Sequence, residues 1–127
     1  EKDYRKGITN IVKEIRQHSP SAHIVFALTT PSPFDSNATT PNKATCPYYH
    51  KFHKAGFVSA MNRVAKSSAK KLGIIINDRY SFILPMLDQY QHPCDVHFSP
   101  EGYQLMAAQD WKVFSSVLPS ISNHGRR

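Results

Sequence analysis

Two short apolar runs constrain this chain more than anything else in it. His23 to Thr29 reads His-Ile-Val-Phe-Ala-Leu-Thr, and Ile74-Ile75-Ile76 leads into Asn77-Asp78. Neither run alternates with polar residues, so neither predicts a strand with one face in water. Continuous, β-rich runs of this kind suit strands buried on both faces of a parallel sheet. Parallel strands need a crossover, normally a helix, and helical patterns flank both runs. Asp3 to His18 predicts an amphipathic helix with Tyr4, Ile8, Ile11, Val12 and Ile15 on one stripe. Phe52 to Leu72 predicts a second, with Phe57, Val58, Met61, Val64, Ala65 and Leu72 inward and Gly73 as its stop. Tyr80 to Leu87 predicts a short helix. Pro100 to Leu118 predicts the last, with Tyr103, Ala107, Trp111, Phe114 and Leu118 inward. The order helix, strand, helix, strand, short helix, helix implies an α/β sandwich with parallel strands. Two strands make a poor sheet alone, so further strands are expected upstream or on another chain.

A chain of 127 residues holds one domain at most. We read residues 1–118 as the C-terminal half of a domain and residues 119–127 as a loose basic tail. With 40% hydrophobic and 11% aromatic residues the chain is of the globular class. The net charge is +7, but the basic residues are spread out and not interleaved with aromatics. They predict solvated helix faces rather than a nucleic-acid groove. No apolar stretch approaches the roughly 18 residues of a membrane span. The first residue is Glu1 rather than Met, which suggests a chain cut from a longer precursor.

Thr30 to Pro47 is a long Pro-rich loop carrying the glycosylation sequon Asn37-Ala38-Thr39. Cys46 and Cys94 lie in predicted loops beside Pro47 and Pro93. Together these features favour a secreted protein with one Cys46–Cys94 disulfide, the alternative being two free thiols. Such a bridge would contribute roughly 4 kcal/mol through the entropy of the loop it closes. It would also pin the Pro-rich loop three residues from His97, as one wall of a cleft.

The chemistry concentrates in Cys94-Asp95-Val96-His97-Phe98-Ser99-Pro100-Glu101-Gly102-Tyr103. Ser99 suits an N-cap, Pro100 the first helical position and Glu101 the positive helix end. This places His97 at the mouth of a helix, with Asp95 as the nearby carboxylate that could orient it as a general base. The plainer reading is a histidine that only packs at a helix start. Thr29-Thr30 and Asn77-Asp78 end the two strands, where sites collect in open parallel sheets. His92, Cys94, Asp95 and His97, with His50 and His53, match no established zinc spacing. No metal and no cofactor are expected.

The Asp-x-His-Phe-x-Pro-Glu-Gly-Tyr run resembles the C-terminal block of the SGNH (GDSL-like) hydrolases. The order before it is also similar: an amphipathic helix, a strand ending in Thr-Thr-Pro, a helix bearing Asn62, a Gly-Ile-Ile-Ile-Asn-Asp strand and a short helix. The resemblance covers nearly all of Tyr4 to Leu118. It implies ester hydrolysis by a Ser-His-Asp arrangement on a flavodoxin-like three-layer α/β/α sandwich, present here as its C-terminal portion. On that reading His97 matches the catalytic base. The family's acid usually lies three residues before this histidine, where this chain has Cys94; Asp95 is two before. The family's nucleophile sits in a Gly-Asp-Ser motif, which this chain lacks, together with the Gly and Asn oxyanion-hole blocks. Asn77-Asp78 follows the wrong element to be that Asn block and reads as a strand end. The resemblance thus implies a partner: an N-terminal chain or segment of the same precursor, supplying the serine and the oxyanion hole. The substrate class would be an ester or an acetylated glycan. The alternative is a secreted, non-catalytic SGNH-like protein with a structural or glycan-binding role.

Overall fold

The computed structural model describes residues 1–35, Cys46 and residues 56–118. Helix α1 spans Lys2–His18. Its Ile8 and Val12 are buried against α2, which spans Phe57–Leu72. Ala65, Ala69 and Ser68 form the buried face of α2. Such small side chains let two helices approach closely. Arg5 of α1 donates to the Ser67 hydroxyl at 2.7 Å, and Arg16 donates to the carbonyl of Leu72. That second contact places a cation at the negative end of α2. Gly73 then ends α2 in the left-handed region, at φ 60°, a conformation that costs glycine little.

Two expectations differ, and residues 52–55 of the predicted second helix lie outside the described residues. Helix α2 starts at Phe57, after Gly56 at φ 78°, and Phe57 is exposed instead of inward. In α1, Ile11 is exposed although it shares the predicted stripe. Ile11 sits at the margin of that stripe, and the core gathers on Ile8 and Val12.

Strand β1 spans Val25–Ala27 and β2 spans Ile75–Asn77. They pair in parallel, with Val25 opposite Ile75, Phe26 opposite Ile76 and Ala27 opposite Asn77. Both are shorter than the apolar runs that encode them, because each ladder is only as long as its partner. Side chains alternate between the faces of the sheet. Ile24, Phe26, Leu28, Ile74 and Ile76 join Ile8, Val12, Ala65 and Ala69 in one core. Val25, Ala27, Ile75 and Asn77 face the other way. Asn62 of α2, itself buried, brackets the end of β1 with two hydrogen bonds. Its Nδ2 donates to the Thr29 carbonyl at 2.8 Å, and its Oδ1 accepts from the Thr29 amide at 3.1 Å. The side-chain amide thus stands in for a neighbouring strand.

After β2 the chain turns into α3, Arg79–Ile83, then a 3-10 turn over Leu84–Met86 and a short α4, Leu87–Tyr90. Asp78 caps α3 by accepting from the Ser81 amide at 2.9 Å, and it pairs with Lys66 at 2.7 Å. Burial pushes the Asp78 carboxyl up, but Lys66 and Ser81 outweigh it and hold the group below its ordinary value.

Helix α5 spans Pro100–Val117. Ser99 caps it as expected, its hydroxyl accepting from the Gly102 amide at 3.2 Å. A second core gathers Ile83, Leu87, Phe98 and Met106. Gly102 permits this packing: a Cβ there would lie 2.9 Å from Cβ of Tyr90 and 3.1 Å from Cβ of Phe98. The face that α5 buries differs from the predicted one. Gly102 and Met106 are inside, whereas Tyr103, Ala107, Trp111, Phe114 and Leu118 are exposed. The two faces lie roughly 120° apart around the helix at 3.6 residues per turn. Helix α5 is apolar on two flanks, and the described residues cover one of them. The result is a helix-rich α/β arrangement around a two-stranded parallel sheet. The tail at residues 119–127 lies outside the described residues.

Candidate active site

The turn between α4 and α5 holds the residues that sequence analysis singled out. Gln91 leaves α4 in an extended conformation and bridges antiparallel to Phe98. The His92 amide donates to the His97 carbonyl at 2.9 Å, and the Asp95 amide to the His92 carbonyl at 3.1 Å. Pro93 and Cys94 occupy the middle of this tight turn. Cys94 takes φ 58°, a left-handed backbone that a side chain rarely adopts. A Pro followed by a positive φ is what a type II turn requires. Cys94 is held there by its disulfide to the buried Cys46, with the two Cα atoms 5.4 Å apart. The expected pairing is therefore present. Gln91 adds a second tie, donating from Nε2 to the Pro31 carbonyl at 2.9 Å. Both ties run from the turn to the segment that follows β1.

Asp95 and His97 come together within this turn. Asp95 Oδ1 accepts from the Val96 amide at 2.6 Å, from the His97 amide at 3.3 Å and from His97 Nδ1 at 2.7 Å. An ionised carboxylate only accepts, so Nδ1 carries a proton in this contact, and in the neutral ring the Nε2 lone pair is left free. The hydrogen bond from His97, helped by the two backbone amides, holds the Asp95 carboxyl below its ordinary value. The His97 side chain is 68% exposed. A neutral imidazole, oriented by a carboxylate and open at Nε2, can accept a proton from an incoming hydroxyl. Among the described residues no hydroxyl is hydrogen-bonded to His97.

Sequence reading missed a second polar cluster. At the end of β2, Asn77 Nδ2 donates to Asp110 Oδ1 of α5 at 2.6 Å, and Arg79 Nε donates to the same oxygen at 2.7 Å. Arg79 Nη2 closes a fork on Asp110 Oδ2. Asn77 is fully buried, and its Oδ1 has no partner among the described residues. An Asn ending an apolar run was the signal for such a network. Asp110 gave none, because it pairs across 31 and 33 residues of sequence. A cavity of about 260 Å³ opens beside this cluster, lined in part by Thr30, Val96, Phe98, Tyr103 and Ala107. Val96 and Phe98 flank His97, but His97 does not line the cavity. Asn37, His50 and His53 lie outside the described residues. Among the described residues there is no group of three or more His, Cys, Asp or Glu side chains able to hold a metal.

No family model and no curated protein matches this chain. Among solved structures it is similar to the esterase domain of the ORF1 protein from the zebrafish ZfL2-1 retrotransposon. The TM-score is 0.64 at 14% identity, over 89% of this chain and 58% of that one. The likeness is one of fold alone, and this chain spans less than two thirds of its neighbour's length.

Proposed function

We propose that this chain is the histidine-bearing, C-terminal portion of an SGNH-type ester hydrolase with a flavodoxin-like sandwich. The observation that carries the reading is the 2.7 Å contact between Asp95 Oδ1 and His97 Nδ1, in a chain that shares the fold of an esterase domain. His97 Nε2 is the general base and Asp95 orients the ring. The serine nucleophile and the oxyanion hole come from an N-terminal chain or segment of the same precursor. The serine oxygen attacks the ester carbonyl as its proton passes to Nε2. The imidazolium then gives that proton to the departing alcohol, and water repeats the sequence to release the acid. Cys94 stands where the family usually places its acid, and its disulfide takes it out of acid–base chemistry. Asp95, one residue on, fills that role. The substrate class is an ester or an acetylated glycan. The disulfide supports a secreted protein, and Asn37 is its proposed glycosylation site.

The test is turnover of a short-chain aryl ester by the chain combined with its N-terminal segment. His97→Ala should lower kcat by about 10²–10⁴-fold with little change in folding. Unchanged turnover in that variant would remove His97 from the mechanism. If the N-terminal segment lacks a Gly-Asp-Ser serine, the non-catalytic, glycan-binding reading replaces this one.

A further inference from the structure

We infer that the outer stripe of α5 and the free edge of β1 form one docking surface, and that its occupant is a strand-and-helix segment of the same domain. This rests on reading the chain as part of an esterase domain, and it locates where the rest of that domain sits. Single exposed apolar side chains are ordinary. Tyr103, Ala107, Trp111, Phe114 and Leu118 instead fall on one line along α5, with Trp111 66% exposed. A line of that length is a patch that water does not favour.

Asp110, next to Trp111 in α5, accepts from Asn77 on the sheet face opposite α1 and α2, so the stripe borders that face. Among the described residues β1 pairs with β2 alone, so its other edge presents free amides and carbonyls. Parallel sheets are buried on both faces. Here the face opposite α1 and α2 carries exposed Ala27, half-buried Val25 and half-buried Ile75. Ala27 is small enough for a helix to rest directly over it. One occupant meets all of these demands: a strand added to the β1 edge, followed by a helix laid across Ala27 against Trp111 and Phe114. The likeness to the esterase domain covers 58% of that chain, so the shared fold carries further polypeptide beyond the matched part.

Trp111 is the only tryptophan, so its fluorescence reports on the stripe directly. The polypeptide that precedes Glu1 in the precursor is made separately and titrated into the 127-residue chain. A saturable one-to-one complex is expected, with Trp111 emission shifted to the blue and slowed amide exchange at Val25 and Ala27. Trp111→Asp, an exposed substitution, should weaken binding by about tenfold or more while the free chain keeps its circular dichroism. Failure to bind, binding without change at Trp111 or β1, or undiminished binding by the variant would each overturn the inference. So would a blue shift that the chain produces alone as its own concentration rises, which would make a second copy the occupant. Ester turnover is read separately. A complex docked at Trp111 that turns over no ester ends the hydrolase reading and leaves the surface standing.

Discussion

At the scale of single residues, the two buried asparagines differ: Asn77 leaves its Oδ1 without a partner among the described residues. Asn62 is satisfied on both sides of its amide by the Thr29 backbone. Asn62→Asp keeps the shape but replaces the donor facing the Thr29 carbonyl with an acceptor. It should cost about 1–3 kcal/mol in denaturant unfolding at neutral pH, and a loss near zero would mean the bracket carries no stability. Asp95 makes a pH-dependent statement. Its carboxyl titrates below the ordinary 3.8 because of His97, so the contact is complete above that value and is lost as pH falls through the lowered one. Carboxyl NMR should show this low midpoint, and His97→Ala should raise it towards the ordinary range. An identical midpoint in both proteins would contradict the contact. The types of these residues were legible from sequence. Their partners were not, with one exception: Asp95 and His97 lie two apart, so a tight turn alone brings them together.

At the scale of elements, periodicity reports that a helix has an apolar face but not what covers it. In α5 the sequence holds two such faces, and the five-residue stripe is the more conspicuous one. The face actually buried depends on Gly102, whose missing side chain lets the first turn close on Tyr90 and Phe98. A glycine in a predicted helix reads as a weakness, which is why this face was hard to see. Gly102→Ala would improve helix propensity by about 1 kcal/mol. We expect it nonetheless to lower stability by about 1–3 kcal/mol, because the neighbouring atoms are Cβ atoms that cannot swing aside. Thermal unfolding decides the sign, and a stabilised variant would show that the α4–α5 approach is looser than described. The cap at Ser99 and the stop at Gly73 were legible because both are local in sequence.

At the scale of the whole molecule, the element order was readable and the extent of the sheet was foreseen as too small. Among the described residues the structure holds two paired strands with helices beside them. The Arg79–Asp110 fork, which joins the start of α3 to α5, came only from the folded chain. The disulfide is the longest covalent tie, joining residues 48 apart. Replacing both cysteines by serine should remove roughly 4 kcal/mol through loop entropy. The urea midpoint should fall by the same amount as on reduction of the parent protein. Equal midpoints with and without reductant would show that the bridge does not act on folding. The bridge also has a topological consequence. A peptide bond cut anywhere between Cys46 and Cys94 opens the backbone but not the molecule: the piece holding α1 and β1 and the piece holding His97 would travel as one band until a reducing agent separates them.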